Sequence, residues 1–120
     1  MKEACFHAAV YLPGNLALPT EPFWLEYTRH ASREAARDRY GDLTPLLPAA
    51  LDPASATVVE VGVGERFAVT KVLYRVPAGD VDLCLVVRPR APGVWRVVTV
   101  WANLPDDTHA TLDESLYAAP

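Results

Sequence analysis

Between residues 57 and 103 the chain carries four β-branched, apolar runs joined by links too short for a crossover. Val58, Val59, Val61 and Val63 make the first, with Gly62 and Gly64 loosening its end. The second covers 67–76 and the third 81–87, with Val81, Leu83, Leu85 and Val87 on one side. The fourth covers 94–101. Pro77-Ala78-Gly79-Asp80 and residues 89–93 read as turns. Parallel neighbours need a crossover of a dozen residues or more, so these runs are expected to pair antiparallel. The third and fourth are apolar on both sides, which places them centrally.

The first half reads differently. Residues 4–11 alternate loosely, as a strand would, and Pro13-Gly14-Asn15 then turns the chain. Pro19 and Pro22 exclude a regular helix over 16–25, a loop that Phe23 and Trp24 are expected to pin to the core. Residues 28–40 form the clearest helix. Thr28 is its N-cap, Ala31, Ala35 and Ala36 give propensity and a narrow apolar stripe, Arg39 lies in its last turn, and Gly41 stops it. Residues 43–51 suit a short second helix with Pro45 in its first turn. The tail after Asn103 is polar, with a short turn expected near 111–117. The expectation is one α+β domain over 1–120, with N-terminal helix or helices packed on a C-terminal antiparallel sheet of about four strands. Its parts are a Pro-containing segment (1–26), a helical segment (27–52), the sheet (57–103) and the polar tail (104–120).

Hydrophobic residues make up 51% of the chain, which excludes intrinsic disorder. No apolar run reaches the roughly 18 residues that span a bilayer, and the Met-Lys-Glu start does not read as a signal peptide. The expected setting is the cytoplasm, with no membrane partner. Cys5 and Cys84 make neither a disulfide framework nor a zinc pattern; they read as buried small hydrophobes, with a bridge between them as the alternative. The three histidines are too scattered to suggest a metal site, so neither metal nor cofactor is expected. The net charge of −4 argues against tight nonspecific binding to long nucleic acid. That charge is segregated, however. Residues 29–39 hold four arginines and one histidine against two acids, and residues 106–114 hold four acids and no Lys or Arg.

No P-loop, dinucleotide fingerprint, His-Glu-x-x-His or Gly-x-Ser-x-Gly is present. Two clusters remain. On the helix, Arg29, His30, Arg33 and Arg37 share an exposed face. Cations beside His30 would favour a neutral imidazole, a base, and the arginines could hold a phosphate bidentately. The plainer reading is a solvated face on which Glu34 pairs with Arg37 or His30. Past the last strand, Thr99, Asn103, Asp106, Asp107, Thr108, His109 and Asp113 gather polar groups. Acids around His109 would favour imidazolium, a proton donor; the plainer reading is turn chemistry. A base, an acid and cations on the phosphate are what metal-free RNA cleavage through the 2′-hydroxyl requires. Lys71 and Arg75 alternate onto one face of the second run and could supply further cations, or could be an ordinary strand surface.

His30-Ala31, Glu34-Ala35 and Arg37-x-Arg39-x-Gly41 resemble the opening helix of small phage- and toxin-associated proteins of the Barnase–EndoU–colicin–RelE ribonuclease fold. Val97-Val98-Thr99-Val100-Trp101-x-Asn103 resembles that group's last core strand, and Asp107-Thr108-His109-x-Thr111-Leu112-Asp113 with Tyr117 its tail. The resemblance covers about residues 27–117. It implies a metal-free RNA-cleaving site on the sheet, with His30 and His109 as acid–base pair, Thr99 beside them, and Arg33 and Lys71 among the substrate contacts. It also implies a protein partner of the antitoxin or immunity kind. A different class of function fits the same residues: a non-catalytic accessory protein that docks on a host protein through Trp24, Trp95 and Trp101. A third is self-assembly through an exposed strand edge.

Overall fold

The computed structural model describes residues 3–107 and 114–118. It is built on one mixed seven-stranded sheet. Its strands are β1 (Ala4–His7), β2 (Phe23–Tyr27), β3 (Ala50–Leu51), β4 (Thr57–Val63), β5 (Val69–Ala78), β6 (Val81–Ala91) and β7 (Val94–Asn103), in the spatial order β1-β4-β5-β6-β7-β2-β3. The one α-helix among the described residues is α1, Arg29–Ala36. The valine-rich runs make the antiparallel meander β4–β7 in the middle of the sheet. The α+β expectation of a helical half on a four-stranded antiparallel sheet is nevertheless wrong. Three more strands come from the first half, and β2 runs parallel to β7.

The corrections have local causes. Pro19 and Pro22 forbid a helix but not a strand that begins after them, and Phe23 and Leu25 alternate into the core. Trp24, between them, points away and is exposed, contrary to the expected anchoring. The second helix shrinks to a 3-10 turn at Thr44–Leu46, because Pro48 denies it a longer run. Ala50–Leu51 then pairs with β2. Helix α1 stops at Ala36, four residues early. Asp38 accepts from the Tyr40 amide through Oδ2 and pairs with Gly41 in an isolated bridge, local bonds that compete with helix.

Thr28 is the pivot of the fold. Its N–H donates to Val97 as the last rung between β2 and β7. Its Oγ1 then caps α1 by accepting from the Ala31 N–H. Ala31 and Ala35 are fully buried, so α1 lies close against the sheet. The core between them includes Phe23, Leu25, Val72, Tyr74, Leu85 and Val100.

The opposite face of the sheet holds a smaller cluster of Val59, Leu73 and Cys84, flanked by Val86 and Trp101. Burial pushes the Cys84 thiol up to about 11, and both cysteines are free, which rules out the bridge. The segments on either side of residues 108–113 are fastened to this face. Arg75 donates to the Leu104 and Asp107 carbonyls, and Tyr117 donates to the Glu60 carboxylate.

Tyr74 is almost fully buried and its hydroxyl has no hydrogen-bond partner among the described residues. A buried hydroxyl left unpaired costs about 1–3 kcal/mol. Tyr74→Phe is therefore expected to leave the unfolding free energy unchanged or raise it by up to about 1 kcal/mol in urea melts. A loss above that size would show that the hydroxyl is bonded.

Candidate functional site

Strand β7 outruns its neighbour. It pairs with β2 only through Val97, because Thr28 turns the chain into α1. From Val98 to Asn103 its outer edge has no strand beside it among the described residues. A buried backbone amide left without an acceptor is costly, and two carboxylates meet this need. Glu34 Oε1 accepts from the Val100 N–H at 3.2 Å, and Asp38 Oδ1 accepts from the Ala102 N–H at 3.1 Å. The spacing suits the task. Glu34 reaches from the last turn of α1 and Asp38 from the turn that follows it, and the two amides they meet lie about 6.7 Å apart along the strand. One carboxylate from the helix and one from the turn after it thus serve alternate amides of β7.

The helix so placed leaves a groove of about 680 Å³ against the edge of β7. His30, Arg33, Arg37 and Arg39 line it from the helical side, and Trp101 and Asn103 from the strand. Four of the residues singled out from sequence thus come together: His30, Arg33, Arg37 and Asn103. The guanidinium groups of Arg33 and Arg37 have neither an ion pair nor a hydrogen-bond partner among the described residues. Arg39 stacks over the Tyr40 ring at 4.8 Å. The His30 side chain is 72% exposed, and its Nε2 lies 3.4 Å from Glu34 Oε1, the same oxygen that holds Val100. A carboxylate, rather than the expected guanidinium, is thus the charged group in contact with this imidazole.

The other candidates lie elsewhere. By its pairing with Val86, Thr99 projects from the sheet face opposite α1, and it does not line the groove. Lys71 sits between Glu3 and Glu60 on β5, at 3.7 and 3.4 Å. Arg75 is a structural clamp: Nε meets Asp82 at 2.8 Å, and its other nitrogens bind the Leu104 and Asp107 carbonyls. Asn103 also reaches across to the Cys84 sulfur. His109 lies outside the described residues, as does most of the polar run around it.

Sequence reasoning saw Glu34 only as an ion-pair partner and gave Asp38 no role. Their four-residue spacing opposite a strand was the available signal. Among the described residues no three His, Cys, Asp or Glu side chains are grouped to hold a metal ion. No helix there is long and apolar enough to cross a membrane.

No protein-family model matches the chain, and no curated protein or solved structure matches it either. The class that the fold and site define is accordingly structural: a mixed sheet whose open strand edge is closed by a helix with an arginine- and histidine-bearing outer face.

The two arginine environments differ in a measurable way. Arg75→Ala removes bonds to a carboxylate and two carbonyls and is expected to lower the unfolding free energy by about 1.5–3 kcal/mol. Arg33→Ala, in the open groove, is expected to change it by no more than about 0.5 kcal/mol. Urea denaturation of both variants checks this, and equal losses would contradict the assignment.

Proposed function

We propose that this chain is a metal-independent, RNA-cleaving domain of toxin-like type whose active groove lies between α1 and β7. One observation carries the reading. His30, Arg33, Arg37 and Asn103, residue types suited to phosphodiester chemistry, line a single open groove in which two guanidiniums have no acidic partner among the described residues. The two carboxylates that share the groove lining, Glu34 and Asp38, accept from backbone amides of β7. That leaves the arginines available to a phosphate, which a planar guanidinium binds bidentately.

In this reading His30 is the base. Its imidazole takes the proton of a ribose 2′-hydroxyl as that oxygen bonds to phosphorus. The bond from phosphorus to the 5′-oxygen breaks, and the leaving oxygen takes a proton from an acid, for which His109 is the candidate. Arg33 and Arg37 neutralise charge that builds on the non-bridging oxygens. The products are a 2′,3′-cyclic phosphate and a 5′-hydroxyl. Glu34 holds the imidazole at the groove wall, as the third group of an acid–base constellation does. Action on cellular RNA would set the protein in the cytoplasm, where a toxin-like domain needs a protein that restrains it.

The test is incubation of the purified protein with end-labelled RNA in EDTA. Cleavage to fragments ending in a cyclic phosphate is expected, with DNA of the same sequence left intact. His30→Ala is expected to slow cleavage by at least about 100-fold, and Arg33→Ala with Arg37→Ala to slow it further. RNA that stays whole at micromolar protein, or full activity in His30→Ala, would overturn the reading.

A further inference from the structure

The open face of the sheet beside β7 carries a second feature that the groove does not use. Phe23 and Leu25 point into the core, so Trp24 and Glu26 project from the face opposite α1, and Trp24 is 65% exposed. By register Glu26 lies beside Arg96, and Arg96 lies directly across from Arg88. Two like charges facing each other across a strand pair are destabilising. Arg88 is answered by Glu3 and by the Thr70 carbonyl. Among the described residues Arg90 and Arg96 share Glu26 alone, at 3.7 and 3.9 Å, with every partner about half exposed. Exposed pairs of such length hold little energy. This end of the sheet therefore offers two loosely held guanidiniums next to a bare indole.

The same face continues toward the groove. Arg96, Thr99, Trp101 and Asn103 follow one another along it, past the irregularity at Val98. Asn103 and Trp101 also line the groove. Seven residues separate Arg96 from Asn103, roughly 23 Å of strand. An indole at each end of this stripe, cations beside the first and the groove beside the second, match how sequence-tolerant proteins hold a single strand: bases stack on aromatic faces while guanidiniums follow the phosphates.

We infer that the face of β2, β7 and the end of β6 bearing Trp24, Arg96, Trp101 and Arg90 is a track for single-stranded RNA that leads into the groove. The track takes its substrate class from the proposed activity, but binding to it does not require cleavage. It gives Thr99 a place as a polar contact along the strand rather than at the reacting phosphate. A duplex does not fit, because its bases are stacked on each other and closed to Trp24.

The experiment measures fluorescence anisotropy of a labelled 2′-O-methyl oligouridine, which has no free 2′-hydroxyl and cannot be cleaved by the proposed route. The wild-type protein is expected to bind the single strand more tightly than a duplex of the same backbone. Trp24→Ala is expected to weaken binding at least about fivefold, with Trp24→Phe retaining most of it. Arg90→Ala with Arg96→Ala is expected to weaken binding and to flatten its salt dependence. Thermal melts confirm that each variant is folded. Binding that ignores Trp24 and both arginines, equal binding of the duplex, or no binding at all would overturn the track. If Trp24-dependent binding is found but RNA is never cleaved, the track stands and the nuclease reading falls. If RNA is cleaved but binding is indifferent to Trp24, the reverse holds.

Discussion

The fold is organised around an unfinished strand edge. β7 is longer than the partner beside it, and its Val100 and Ala102 amides would be stranded where β2 gives way to α1. Backbone donors away from water need acceptors. Here the acceptors are side chains of the segment that replaced the missing strand. Glu34 and Asp38 tie α1 and the turn after it to the edge, while Ala31 and Ala35 allow the helix to lie against the core. The helix orientation follows, and with it the direction of His30, Arg33 and Arg37.

This arrangement changes how the charges are counted. A chain of net charge −4 does not look made for a polyanion. Yet Glu34 and Asp38, the two acids that line the groove, accept from backbone amides, and Arg75 and Lys71 are held by acids and carbonyls on the other face. Arg33 and Arg37, whose guanidiniums have no partner among the described residues, are left where the helix meets the strand edge. The electrostatics of the groove are thus set by what each acid is bonded to, and overall composition is a poor guide to them.

The meander was legible because alternation and short turns admit few alternatives: Val81, Leu83, Leu85 and Val87 could hardly be anything but one face of a strand. The Thr28 cap was legible for a similar local reason. The strands at the rim of the sheet were not. Ala50–Leu51 is two residues long and exists only because β2 lies beside it. Phe23–Tyr27 was hidden by the prolines before it, and no local pattern announces a parallel pairing to a strand some seventy residues later. In the site, the helix face was visible from spacing alone, whereas the roles of Arg75 and Lys71 depended on partners distant in sequence: Leu104, Asp107, Glu3 and Glu60. Alternation put both on one face but could not say what that face would meet.

Amide hydrogen exchange tests the edge closure directly. The Val100 and Ala102 amides should exchange slowly in the wild-type protein, as interior strand amides do. In the Glu34→Ala, Asp38→Ala double variant they should exchange at least about tenfold faster, while the amides of β6 keep their protection. Rapid exchange of both in the wild type, or unchanged rates in the double variant, would contradict a strand edge closed by one carboxylate of α1 and one of the turn after it.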